Sequence, residues 1–202
     1  MIASGNKYKE ILNLAKRYGI IQVRDLRKKG IHPEYLRRLY KNGQLIKIAR
    51  GQYSLPDTKI SEHHSLVVVA KAVPNAVFCL VTALRFHNIG TQAPYKVWIA
   101  IERRSAEPRI NNPKIRVFRF SGGAYSEGIS KYVIEGVNIK VYNPSKTISD
   151  CFKYRNKIGL DVAIEALRDG WEQKKFTVNE LWKYAKICRV TNIMRPYIES
   201  LS

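Results

Sequence analysis

A chain of 202 residues, 45% of them hydrophobic, has room for one large or two small domains and enough apolar side chains for a real core. Its 36 Lys and Arg stand against 16 Asp and Glu, a formal charge of +20 that attracts polyanions and puts nucleic acid ahead of an anionic membrane surface as a partner. The longest apolar run, Leu66 to Val73, contains Lys71 and is far too short to cross a bilayer. Residues Met1 to Glu10 hold no apolar signal-peptide segment, and Cys79, Cys151 and Cys188 form no Cys-x-x-Cys pair. A cytoplasmic protein with reduced core thiols is expected. His32, His63, His64 and His87 show no ligand spacing with those cysteines, so neither a zinc site nor any cofactor is expected.

Tyr8, Ile11, Leu12, Ala15 and Tyr18 fall at helical spacing, and Gly19 follows as a stop. After the apolar step Ile20-Ile21, Val23 to Lys29 reads as a second short helix ended by Gly30. His32-Pro33-Glu34 opens a third, with Pro33 in the favoured first position, running to Asn42-Gly43. Leu45 to Ile48 and Gln52 to Leu55 flank Arg50-Gly51 as a β-hairpin. Three short helices and then a hairpin is the order of a winged helix-turn-helix. The polar segment Pro56-Asp57-Thr58-Lys59 places a domain boundary, dividing residues 1–58 from 59–202.

The second part begins with helices over Leu66 to Ala72 and Leu80 to His87. Val97 to Ile101, Ile115 to Phe120, Tyr132 to Ile134 and Val137 to Val141 have strand composition, while Arg103 to Lys114 and Ser121 to Ser126 read as loops. Closing helices follow. Asn143-Pro144 caps one that continues through Ile148, Cys151 and Phe152. Leu160, Ala163, Ile164, Leu167 and Trp171 form the apolar stripe of the next. Thr177 and Glu180 pair as a capping box before Leu181 to Cys188, and Ile193 to Leu201 adds a further turn or two. The fold class is α+β: an N-terminal winged helix-turn-helix, then a larger α+β domain with closing helices.

On the third helix, Arg37, Arg38 and Lys41 fall within one arc of about 100°, while Tyr35, Leu36, Leu39 and Tyr40 crowd the other side. One face packs and the other presents cations to the major groove, where an arginine fork pairs with guanine or with phosphate. In the hairpin, Lys47 alternates with Ile46 and Ile48 and so faces away from the core. Arg50 sits at the turn, and Gln52 and Tyr53 lie beyond it, with Tyr53 read as core. Such a wing runs along the backbone or in the minor groove. The DNA-binding candidates are thus Arg37, Arg38, Lys41, Lys47, Arg50 and Gln52. Residues 1–58 hold 13 Lys and Arg against 4 Asp and Glu. In the second part Arg103, Arg104, Arg109, Lys114, Arg116 and Arg119 either lengthen the footprint by phosphate contact or are ordinary solvated charges.

No enzyme signature stands out. Glu172-Gln173-Lys174, the best acid-x-Lys match, falls between helices, Ser121-Gly122-Gly123 lacks a P-loop continuation, and His64-Ser65 are merely neighbours. No catalytic residue and no metal site is assigned.

Two blocks resemble the AbiEi antitoxins of type IV, abortive-infection toxin–antitoxin systems. The first is Leu45-Ile-Lys-Ile-Ala-Arg-Gly-Gln-Tyr53 with its preceding helices. The second runs through Val97 to Ile101, Val117 to Gly122, Tyr142 to Thr147, Asp150 to Asp161 and Glu165 to Asp169, ending at Met194 to Tyr197. The resemblance implies an N-terminal domain that binds inverted repeats in double-stranded DNA of its own promoter and represses it. It implies a C-terminal domain that counteracts a nucleotidyltransferase toxin without a stable complex. Lys146, Asp150, Lys153, Tyr154, Arg155, Lys157 and Asp161 then become candidate antitoxicity residues, with bracing of the closing helices as the structural alternative. A stand-alone winged-helix transcription factor is the alternative function. With no coiled-coil seam legible, a monomer that pairs on DNA is expected.

Overall fold

The computed structural model describes residues 2–57 and 61–201. The protein is a mixed α+β chain with two sheets, divided into two compact units, one of Met1–Pro74 with Val133–Ile139 and one of Asn75–Tyr132 with Lys140–Ser202. The sequence boundary was expected between 58 and 59; Thr58 and Lys59 lie outside the described residues.

In the first unit the order is α1(Ile2–Tyr18), β1(Ile20–Gln22), α2(Val23–Arg27), α3(Glu34–Lys41), β2(Ile46–Ala49), β3(Gln52–Ser54) and α4(His64–Ala72). The step Ile20-Ile21 is a strand: it pairs antiparallel with β3, Ile20 opposite Ser54, and completes a three-stranded sheet ordered β1-β3-β2. Helix α2 starts with a reciprocal cap in which the Gln22 amide donates to the Asp25 carboxylate at 3.0 Å. Pro33 stands one place earlier than expected, as the residue before α3 rather than its first. Ile11, Ala15, Ile21, Leu26, Leu36, Leu39 and Leu45 are buried together as this unit's core. Each such side chain contributes about 1.5–3 kcal/mol on leaving water.

In the second unit β4(Val77–Phe78) and α5(Leu80–Phe86) precede β5(Val97–Glu102), β6(Ile115–Phe120), α6(Gly123–Ser126), β7(Ile129–Ile134) and β8(Val137–Tyr142). The helices α7(Pro144–Lys153), α8(Arg155–Ile158), α9(Leu160–Glu172), α10(Val178–Cys188) and α11(Thr191–Glu199) follow. Its sheet is ordered β6-β5-β4-β8-β7, with β5 and β6 parallel from Val97 opposite Ile115 to Glu102 opposite Phe120. Two expectations change here. The segment Ser121 to Ser126 contains a helical turn, α6, and β7 starts at Ile129 rather than Tyr132. Helix α7 packs against α5, α9 and α10 and is buried from Ser145 through Phe152. Its start is capped as expected, Asn143 Oδ1 accepting from the Lys146 amide at 2.9 Å. The Thr177 and Glu180 capping box likewise forms at α10.

Strands β7 and β8 are joined by Glu135 and Gly136, both at positive φ, the backbone a two-residue hairpin turn requires. This tip belongs to the first unit. The Glu135 carboxylate accepts from the Ser61 amide and hydroxyl at 2.8 Å each and lies 2.8 Å from His64 Nδ1. Burial pushes the Glu135 carboxyl up, but these donors outweigh it and hold it below its ordinary value. Gly19 sits beneath the tip at φ +65, where a Cβ would stand 2.3 Å from the Glu135 carbonyl oxygen.

Candidate nucleic-acid interface

Helix α3 buries Leu36 and Leu39 and leaves Arg37, Arg38 and Lys41 exposed, because their positions fall on opposite faces at 3.6 residues per turn. Glu34, in the first turn, lies 3.7 Å from Arg37 Nη1 and 3.6 Å from Arg38 Nε. A hydrogen bond that Arg38 donates to the Tyr8 side chain of α1, ahead of the Glu34 carboxylate, raises the Arg38 pKa above its ordinary value. The two guanidiniums therefore stand partly oriented above the helix. Tyr40, assigned by sequence to the packed side, is 45% exposed and meets Tyr53 edge-on at 5.7 Å, joining α3 to the hairpin. Its signal was present: an aromatic ring beside three cations, on a helix whose two leucines already fill the core side.

The hairpin carries Lys47 and Arg50 exposed, with Gly51 at φ +71 turning the chain. Its phase departs from simple alternation. The pairing shifts between Lys47 and Ala49, so Ile48 is an extra residue, a bulge. Leu45 takes the core position, and Ile46 is left 40% exposed. Gln52 leaves the set of DNA-facing residues. It is 2% exposed, and its Nε2 donates to the Val68 carbonyl at 3.0 Å, so the side chain ties β3 to α4 within the first unit. In β3, Gln52 and Ser54 share the inward face while Tyr53 is half-buried.

The candidates carried over from the second block separate into two sets. Lys146 and Asp150, one helical turn apart on α7, have no exposed surface, and Lys146 Nζ lies 2.5 Å from Asp150 Oδ2. The ammonium also sits over the Tyr142 and Phe120 rings at 4.2 and 4.9 Å, and Asp150 Oδ1 accepts from the Cys188 thiol at 3.3 Å. Burial pushes the Asp150 carboxyl above its ordinary value against the pull of Lys146. A pair so enclosed braces the helix and touches no partner molecule in this conformation. Lys153, Lys157 and Asp161 are exposed; Tyr154 and Arg155 are partly buried, Arg155 donating to the Phe152 carbonyl at 3.1 Å. Cys79, Cys151 and Cys188 are buried free thiols, all pushed up by burial, Cys188 to about 12. Arg103, Arg104, Arg109, Lys114 and Arg119 are exposed and Arg116 partly so. Among the described residues no three His, Cys, Asp or Glu side chains are grouped to hold a metal ion, and no helix is long and apolar enough to cross a membrane.

Residues 9–56 match the model of a family described as "Transcriptional regulator, AbiEi antitoxin", the family to which the sequence resemblance pointed. No curated protein matches the chain. Among solved structures, the crystal structure of the RV2827C protein from Mycobacterium tuberculosis is similar, with a TM-score of 0.59 at 12% identity, over 90% of this chain and 71% of that one. At that identity the likeness is one of fold alone.

Proposed function

We propose that residues 9–56, which match the AbiEi antitoxin regulators, act as a winged helix-turn-helix on double-stranded DNA, with α3 in the major groove and the β2–β3 hairpin along the flanking backbone or minor groove. One observation carries this reading: Arg37, Arg38 and Lys41 project from the face of α3 opposite its buried leucines, and Lys47 and Arg50 are exposed in the hairpin that follows. The chain represses its own promoter, two copies pairing on inverted repeats whose half-sites lie a whole number of helical turns apart, about 10–10.5 bp each. In the cell it works in the cytoplasm.

The antitoxin half of the proposal rests on the family description. Beyond that description, and as the resemblance of the second sequence block implies, the second unit opposes a nucleotidyltransferase toxin without a stable complex. Lys153, Tyr154, Arg155, Lys157 and Asp161 form its working surface, and Lys146 and Asp150 brace it from below.

The test is titration of a labelled duplex from the region upstream of the chain's own gene, beside a scrambled duplex, at several salt concentrations. About six neutralised phosphates give a slope of log affinity on log salt near −5, with the upstream duplex bound tighter. A slope near zero, or equal affinity for the two duplexes at every salt, overturns the reading.

A further inference from the structure

The second unit contains a cavity of about 350 Å³ whose wall is built from Arg116, Phe118 and Arg119 of β6, Tyr154 and Lys157 at the end of α7 and in α8, and Glu107 of the preceding loop. Its volume lies at the small end of the range of about 300–1,000 Å³ found for small-molecule sites. A concave space of that size admits one nucleotide-sized group and not the side of a duplex.

The two arginines are held in place. The Arg116 guanidinium lies over the Trp98 ring at 4.4 Å and the Phe118 ring at 5.3 Å. Arg119 Nη1 donates to the carbonyls of Arg103 and Ser105 at 3.1 and 2.7 Å, and its Nη2 lies 3.6 Å from Glu107 Oε2. Lys157 Nζ stands 5.7 Å from the centre of the Tyr154 ring. Tyr154 is itself wedged, edge-on to Phe118 at 5.2 Å and stacked on Phe120 at 5.5 Å. Side chains already ordered by stacking and by backbone carbonyls lose little freedom when a ligand arrives, which favours binding. Burial pushes the Tyr154 hydroxyl up to about 12, so at neutral pH it is a hydrogen-bond donor.

The charge balance selects the ligand. Three cations face one carboxylate, leaving two positive charges to match. A phosphodiester carries one negative charge, whereas a terminal phosphate carries about 1.5–2 at neutral pH and offers three acceptor oxygens. Arginine forks suit phosphate oxygens pairwise. We infer that this cavity binds the terminal phosphate of a nucleotide, supplied by a free nucleotide or by the 5′ end of a single strand, with Arg116 and Lys157 on the oxygens, the Tyr154 hydroxyl as a further donor, and Arg119 matched by Glu107 at the rim. The site shares no residue with the α3 surface and does not depend on the duplex reading.

The test is calorimetric titration of the full chain with adenosine, adenosine 5′-monophosphate, and a single-stranded dodecamer bearing either a 5′-phosphate or a 5′-hydroxyl. Adenosine and the 5′-hydroxyl strand should bind at least tenfold more weakly than their phosphorylated forms. Lys157→Ala, whose side chain is exposed and free of buried bonds, and Arg116→Lys, which keeps the charge and loses the stacking, should each weaken phosphate-bearing probes about tenfold or more. An unchanged thermal melt for each variant shows that the fold is intact. The variant Arg37→Ala/Arg38→Ala/Arg50→Ala should bind the mononucleotide as the parent does, which keeps this result apart from any failure of duplex binding. If the 5′-phosphorylated dodecamer binds tighter than the mononucleotide, the source is a strand end; equal or weaker binding assigns a free nucleotide. Equal affinity for phosphorylated and unphosphorylated probes, or unchanged affinity in both cavity variants, overturns the inference.

Discussion

Replacing Lys146 by Met keeps a slim, unbranched side chain where space is tight, since a Cβ at Gly128 would lie 2.7 Å from the Lys146 Cβ. It also strips the Asp150 carboxylate of its ammonium partner at 2.5 Å, leaving only the Cys188 thiol, a weak donor. An uncompensated buried charge costs about 3–5 kcal/mol, a large part of the roughly 5–15 kcal/mol that holds a domain folded. At about 2–4 °C per kcal/mol for a chain of this size, the melting temperature should fall by about 6–20 °C. The loss has a pH signature. The folded Asp150 carboxyl is already raised by burial and held down by Lys146, so without Lys146 it rises further. A raised folded pKa gives stability that is present below the unfolded value and lost as pH climbs through the folded one. The variant should therefore recover toward the parent as pH falls through the folded carboxyl's raised value toward its unfolded one, at up to roughly 1.4 kcal/mol per pH unit. Lys146→Met/Asp150→Ala, which removes both charges and leaves a small void, should lie within about 1–2 kcal/mol of the parent. Urea denaturation followed by circular dichroism, at three pH values, measures all of these. A single-variant loss below about 1 kcal/mol with the parent's pH profile, or a double variant no better than the single one, would refute a charged, dry pair.

On upstream duplex, Arg37→Ala and Arg38→Ala should each cost about 1–3 kcal/mol of binding, and Lys41→Ala should weaken all sequences alike and lower the salt slope by about one. Equal losses on upstream and scrambled duplex for both arginines would show that they only position α3. Arg50→Ala should weaken binding too, with anisotropy titration as the readout, and unchanged affinity would place the hairpin off the DNA. Gly43 and Gly19 both sit at positive φ, yet a Cβ at Gly43 meets nothing within 4 Å. Gly43→Ala should cost about 1 kcal/mol of conformational strain and Gly19→Ala clearly more, because the Glu135 carbonyl must move; equal melting temperatures would contradict this. Glu135→Ala should destabilise at neutral pH, and its difference from the parent should shrink in acid. The lowered folded pKa gives stability present above the unfolded value and lost as pH falls through the folded one. A difference that stays constant down to pH 3 would detach the carboxylate from the effect.

Much of the first unit is legible because short-range rules decide it. The leucines of α3 and its cations separate at helical period, and the Gly43 and Gly51 turns stand where the residues say they should. The hairpin face was misread for a reason that spacing does not contain. A bulge at Ile48 resets the phase, and the Val68 carbonyl, 16 residues away, supplies the partner that draws Gln52 inward. Strand β4 is two residues long, and only its neighbours β5 and β8 make Val77-Phe78 a central strand. Helix α7 misleads in the opposite way. It is buried all round yet carries Ser145, Lys146, Ser149 and Asp150, and only their i, i+4 spacing hints that they satisfy one another.

The hairpin tip that clasps Gly19 has a consequence for synthesis. The first unit's leading segment ends at Pro74, but the piece that covers Gly19 and engages Ser61 and His64 comes only with Val133–Ile139. At about 5–20 residues per second, a ribosome takes several seconds to make the intervening stretch. During that interval α3 and its cations exist on a unit that lacks one of its own parts. A nascent chain stalled before Val133 should thus be more protease-sensitive around Ser61 than one released past Ile139. The first unit is therefore completed only after Ile139 has been made, which a design with two sequential, self-contained modules would not require.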